Sequence, residues 1–208
     1  MLRIAGSKVS VMRSEAPVLM PIFRSRHQAE LLTWLLLHPD QEYTTTELAA
    51  HLQVPLTTLH REVQRLVDAD LLRARTVGRA RLLSANPDHR ATPALTRLLE
   101  VTFGPHTIVE DEFSTVAGAE EVVIFGSWAA RYHGRPGRVP ADLDVLVIGN
   151  PDRGDVYDAA DRVQQRLGME VNPVIRSRRQ WKSAADALVQ EVQASPSLVV
   201  IGAGEDAA

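Results

Sequence analysis

The chain has 208 residues, 45% hydrophobic and 24% charged, with no cysteine. That allows one large or two small domains, excludes a disordered chain, and excludes structural disulfides and thiolate metal sites. The net charge of −3 divides into +3 over residues 1–90 and −6 over residues 91–208, so two modules with different partners are expected.

Residues 1–21 show no clear period and read as an N-terminal arm without the apolar core of a signal peptide. From Arg24 to Leu37, Ala29, Leu32, Leu35 and Leu36 recur at helical spacing, and Pro39-Asp40 ends the helix. The apolar stretch "LLTWLLL" at 31–37 falls far short of the ~20 residues that span a bilayer. A soluble, cytoplasmic protein with no membrane partner is therefore expected. Thr44, Thr45 or Thr46 caps a short helix from about Glu47 to Leu52, and Pro55 opens the next, which runs to about Asp70. "LLRARTVGRARLLSANP" reads as two extended arms around Val77-Gly78.

Residues 91–102 form a further helix, and Gly104-Pro105 is the expected boundary. Beyond it come a helix over 105–117, a strand over 120–125, a short helix over 127–133 and a Gly/Pro/Arg loop over 134–141. "DLDVLVI" reads as a strand, 152–167 as a charged amphipathic helix, "EVNPVI" as a strand, 178–193 as a helix and "SLVVIG" as a last strand. Strands alternating with helices predict a layered α/β domain.

On the helix after Pro55, Leu56, Leu59, Val63, Leu66 and Val67 make an apolar stripe. Thr57, Thr58, His60, Arg61, Gln64 and Arg65 lie opposite, with groups suited to base edges and phosphates in a major groove. A short helix, a tight turn and this helix make a helix-turn-helix. On the hairpin, Arg73 and Arg75 share one face of their arm, and Arg79 and Arg81 share one face of theirs. Four arginines on such a ribbon suit a wing along the backbone of double-stranded DNA. All but two of the 23 basic residues are arginine, the side chain that meets phosphate with a planar fork, although GC-rich coding gives the same excess. His51 and His60 form no evident metal pair and read as polar surface.

Residues 22–90 resemble an ArsR-type winged helix-turn-helix transcriptional regulator, on the strength of helix 24–37, "TTTELAAHLQVPLTTLHREVQRLVDADLL" and the arginine hairpin. The resemblance implies DNA binding as a homodimer. The apolar faces of helices 24–37 and 91–102 are the expected interface. The cysteine-based metal sensing of many such proteins does not carry over.

In the second half, a strand ending in Gly126-Ser127 and turning into a helix offers backbone N–H groups and a hydroxyl to a phosphate. Asp142 and Asp144 sit two apart on a strand, so both carboxylates share a face while Leu143, Val145 and Val147 take the other. Such a pair suits magnesium. Arg131, Arg135 and Arg138 could meet nucleotide phosphates or stand in a solvated loop. Trp128 and Trp181 read as packing residues and His133 as a loop residue.

"GSWAARYHG" followed by "ADLDVLV" is similar to the Gly-Ser and Asp-x-Asp signature of the nucleotidyltransferase superfamily, in its minimal-domain branch, over 105–202. The resemblance implies that Gly126, Ser127 and Arg131 hold a nucleoside triphosphate, and that Asp142 and Asp144 bind Mg²⁺ in catalysis. A third carboxylate belongs on the following strand, where this chain has Asn172. An amide is no base and a poor magnesium ligand. Glu170, two residues earlier on the same face, is the candidate substitute, roughly 6.5–7 Å away along the strand.

The expected architecture has two domains of α+β and α/β class. An arm at 1–21 leads into a winged helix at 22–90, a linker helix at 91–104, a nucleotidyltransferase-like α/β domain with a mixed sheet at 105–202, and a tail at 203–208. The favoured reading is a DNA-binding transcriptional regulator whose second domain binds a nucleotide or a protein partner without turnover. The alternatives are an active Mg-dependent nucleotidyltransferase, moving a nucleotide to protein, nucleic acid or a small molecule, and an antitoxin-like partner of a neighbouring gene product.

Overall fold

The computed structural model describes residues 22–184 and 186–202, so the arm at 1–21 and the tail at 203–208 lie outside it. Helix α1 (Arg26–Leu37) starts at Ser25, whose hydroxyl accepts from the Gln28 N–H at 3.1 Å. After β1 (Tyr43–Thr44), α2 spans Thr45–Leu52. Of the three threonines, Thr44 is the cap. Its hydroxyl accepts from the Glu47 N–H, and the Glu47 carboxylate accepts from the Thr44 N–H, so α2 begins two residues earlier than its period indicates. Gln53, at φ 53°, turns the chain into α3 (Leu56–Asp68). Leu59, Val63 and Leu66 of α3 are buried, while Leu56 at its start is exposed.

Strands β2 (Leu72–Val77) and β3 (Ala80–Ala85) form the hairpin, and β1 pairs with β3, giving a three-stranded antiparallel sheet ordered β1-β3-β2. Gly78, at φ 60°, makes the tight turn. Helix α4 (Thr92–Phe103) packs against α1. A helix, a short strand, two helices and a hairpin wing in this order make a winged helix. Leu31, Leu35, Leu48, Leu59, Leu72, Leu83 and Leu99 are buried in one shared core. Each such leucine contributes about 1.5–3 kcal/mol relative to exposure.

That packing corrects the expected dimer interface. Ala29, Leu32, Leu35 and Leu36 of α1 and Leu99 of α4 are at most 4% exposed, so these apolar faces cover each other and the core. Helix α4 is accordingly part of the front core as well as the connection out of it.

The second half contains α5 (Pro105–Phe113), β4 (Ala119–Phe125), α6 (Gly126–Tyr132), β5 (Asp142–Gly149), α7 (Arg153–Leu167), β6 (Glu170–Arg176), α8 (Arg178–Lys182), α9 (Ala187–Ala194) and β7 (Leu198–Ile201). Its four-stranded sheet is ordered β6-β5-β4-β7; β5 and β6 run parallel, and β4 is antiparallel to both β5 and β7. Leu143, Val145 and Val147 meet Val156, Ala159 and Val163 of α7 and Val109 and Phe113 of α5. On the opposite face Leu146 and Ile148 pack with Val123 and Val192, beside Trp181 and Leu188. Trp128 is buried in the larger cluster. Both tryptophans therefore pack as expected from their surroundings.

Two predicted helices are too long. Helix α5 stops at Phe113 because the Ser114 and Thr115 hydroxyls donate to the carbonyls of Asp111 and Glu112. The helix over 178–193 divides in two. The Asp186 carboxylate accepts from the Val189 N–H at 3.0 Å, capping a new helix, while Ala184 stands at φ 45°. His51 is also not free surface: it stacks on Trp34 of α1, with ring centroids 3.5 Å apart. Trp34 in turn seats against Gly168 at the end of α7, where an added Cβ would lie 2.3 Å from the indole.

Candidate functional site

Thr57, Thr58, His60, Arg61, Gln64 and Arg65 are all exposed on one side of α3. Thr57, Thr58, His60 and Arg61 have no side-chain partner among the described residues. Gln64 accepts from Arg81 at 3.3 Å and donates to Asp68 at 2.7 Å, joining the helix to the wing. Arg65 donates to Glu62 at 2.5 Å.

The hairpin register separates the four arginines. Val77 pairs with Ala80, so Arg75 faces Leu82 and Arg73 faces Ser84, whereas Arg81 faces Thr76. Directly paired residues share a face. Arg73 and Arg75 therefore lie on one face of the ribbon and Arg81 on the other, beside α3. The first pair is engaged within the chain: Arg73 donates to Asp88 and Arg75 to Glu42. That pairing holds the Glu42 carboxyl below its ordinary range. Arg79, at the turn, has no side-chain partner among the described residues.

In the second half, register brings the predicted residues to one end of the sheet. Phe125 at the end of β4 pairs with Asp144, so Gly126-Ser127 follows directly beside that aspartate. Gly126 has φ 69°, which favours glycine, and a Cβ there would fall 2.6 Å from Asp144 Oδ2, so any side chain would also push that carboxylate aside. Ser127 is exposed, and its hydroxyl has no partner among the described residues. On the parallel neighbour, Glu170 pairs with Asp142 and Asn172 with Asp144. Asn172 Nδ2 donates to Asp142 Oδ2 at 3.3 Å and to Asp144 Oδ1 at 3.4 Å. Burial first, and then the Asp142 charge, raise the Asp144 carboxyl above its ordinary value, while the Asn172 bond opposes them.

Glu170 is exposed at the start of β6 and does not complete the pair: among the described residues, no group of three His, Cys, Asp or Glu side chains could hold a metal ion. Arg131 is likewise turned elsewhere. Its Nε donates to Glu100, 2% exposed on α4, at 2.5 Å, and another nitrogen donates to the Gly137 carbonyl at 2.5 Å. Arg138 pairs with Asp40 at 2.6 Å. His133 Nε2 meets the Ser197 carbonyl at 2.9 Å. Sequence reading missed Glu100 and Arg97. Arg97 donates to the Arg131 and Tyr132 carbonyls at 2.8 and 2.5 Å, so α4 grips the end of α6.

No family model and no curated protein matches the chain. Among solved structures, it is similar to a cysteine-to-serine variant of MarR from E. coli, complexed with operator DNA. The identity is 20% and the TM-score 0.35, over 48% of this chain and 69% of that one. The element order and the antiparallel pairing of the wing give the front half its winged-helix form. Among the described residues no helix is long and apolar enough to cross a membrane.

Proposed function

We propose that this chain is a DNA-binding transcriptional regulator that acts as a homodimer on double-stranded DNA. Helix α3 enters the major groove, and Arg79 and Arg81 at the wing tip lie along the phosphates. The observation that carries this reading is the exposed face of α3, where Thr57, Thr58, His60 and Arg61 stand without side-chain partners beside a wing joined through Arg81 and Gln64. Polar groups displayed in this way are available to base edges and phosphates. Arg73 and Arg75, paired on the other face, have a lesser part. Selection from random duplexes tests the reading. One motif should be enriched and bound about 10³-fold or more tightly than a scrambled duplex. Arg61→Ala should lower that preference by roughly tenfold or more if it reads a base edge. Absence of any enriched motif would overturn the reading.

The second half is proposed to be a nucleotidyltransferase-like domain that holds a nucleotide or a protein partner without transferring a nucleotide. Its support is Asn172, which places an amide donor where a transfer centre needs a third carboxylate. The donor set falls short of a two-metal centre, and Asp142 and Asp144 suit only a single Mg²⁺ carried in on nucleotide phosphates. Calorimetric titration of Mg-ATP and Mg-GTP should show binding that is lost in Asp142→Asn/Asp144→Asn. Release of pyrophosphate with labelling of any acceptor would contradict the absence of turnover.

A further inference from the structure

A cleft of about 240 Å³ opens where the front core meets the loop after α6. Leu36 at the end of α1, Ala85 at the end of β3, Pro93 on α4 and Val139 on the loop form its apolar walls. No aromatic side chain lines it among the described residues, so an aliphatic body fits its surface better than a ring that needs stacking. Of the four polar side chains in the lining, Thr92, Thr96, Arg131 and Arg138, two are open to a ligand. Thr96 on α4 is 8% exposed, and its hydroxyl has no hydrogen-bond partner among the described residues. Its neighbour Thr92 is satisfied, donating to the Asn86 carbonyl at 2.7 Å. A hydroxyl without a partner that borders the cleft is free to donate to an acceptor brought to it.

The second group is Arg138. Its side chain is 87% exposed and its partner Asp40 is 73% exposed. An ion pair so wet contributes little, so the guanidinium can exchange Asp40 for an anion in the cleft at small cost. Arg131 also borders the cleft but is committed to Glu100 and the Gly137 carbonyl. It fixes the loop that carries Arg138.

We propose that this cleft binds a small aliphatic carboxylate. The hydrocarbon body lies against Leu36, Ala85, Pro93 and Val139, and the carboxylate is taken by Arg138 with the Thr96 hydroxyl as a second donor. Because the walls come from both halves of the chain, an occupant touches both at once and ties them together. The cleft shares no lining residue with the DNA-reading face or the Asp142–Asp144 pair, and its test needs neither DNA nor nucleotide.

The test is calorimetry on the full chain with hexanoate and cyclohexanecarboxylate, each beside its neutral amide. At least one acid should bind with a submillimolar Kd, and its amide about tenfold or more weakly, since only the acid makes the charge-assisted contact. In Arg138→Gln the acid should weaken by a similar factor, to the level of its amide. Thr96→Val, which keeps the side-chain volume, should weaken the acid several-fold. Arg138→Gln leaves the core untouched, so an unchanged Tm certifies that its loss of binding is local. Three results would overturn the proposal: no heat from either acid up to about 5 mM, equal binding of acid and amide, or binding unchanged in both variants.

Discussion

The exposed face of α3 and the mouth of the back sheet treat polar side chains in opposite ways. On α3, Thr57, Thr58, His60 and Arg61 stand in solvent with no side-chain partner among the described residues. At the back, Asn172 bridges Asp142 and Asp144, and Glu100 takes Arg131. The difference teaches that charge alone does not mark a binding surface. An arginine that already has a buried carboxylate is part of the fold, and one without a partner is available to something outside it.

The largest expected effect tests that contrast as stability. Arg131→Ala leaves Glu100 buried with only the longer 3.8 Å contact to Arg97, and should cost up to about 3–5 kcal/mol. Arg61→Ala on the exposed face should change stability by no more than ~0.5 kcal/mol while damaging DNA binding. Urea unfolding of both variants checks the pair. Equal costs would break the comparison.

Next in size is the Asp142–Asp144 site. Asn172→Asp removes the donor that both aspartates share and adds a third carboxylate. Without metal it should lower stability by about 1–3 kcal/mol. It should also gain Mn²⁺ or Mg²⁺ binding, seen as a rise in Tm on adding the ion that exceeds any rise in the wild type. A variant as stable as the wild type and indifferent to the ion would show that the amide does not set the character of this site. Asp144→Asn should raise Tm slightly at neutral pH, because the Asp144 carboxyl is raised by burial and by Asp142, so its ionised form is held at a cost.

The smallest effect is on pH. Burial, and secondarily the His38 charge, lower the His51 imidazole below its ordinary value, against a raising contact from the Arg166 backbone; burial also lowers His106. A histidine lowered by folding takes up its proton more readily in the unfolded chain. Its contribution is therefore fully present above the unfolded value of about 6.5 and is lost as pH falls through the folded value. Stability should decline on acidification below about pH 6.5, and His51→Gln should flatten part of that decline. A steeper decline in the variant would reverse the sign assigned to His51.

Much of this was legible in the sequence because the signals are local. The alternation over "DLDVLVI" placed both aspartates on one face, and the two periods of α3 separated its core stripe from its polar face. What escaped depends on partners far along the chain. Glu100 and Arg131 are 31 residues apart, and nothing local shows that they meet. The split at Ala184 depended on Asp186 acting as a cap rather than as one more charge on a helix. The separation of the wing arginines did have a signal. With only Gly78 and Arg79 between paired Val77 and Ala80, odd-numbered positions on one arm face even-numbered ones on the other. Arg81 therefore had to lie opposite Arg73 and Arg75.

That separation gives the most direct test of DNA binding through this face. Affinity for the selected duplex should be followed against salt concentration for the wild type, Arg79→Ala/Arg81→Ala and Arg73→Ala/Arg75→Ala. Each lost phosphate contact flattens the slope of log K against log salt by about 0.9. Removing Arg79 and Arg81 should flatten it by about two and weaken all duplexes alike, while removing Arg73 and Arg75 should flatten it by less than about one. An unchanged slope without Arg79 and Arg81, or a loss confined to one sequence, would contradict the placement of the wing tip on the phosphates.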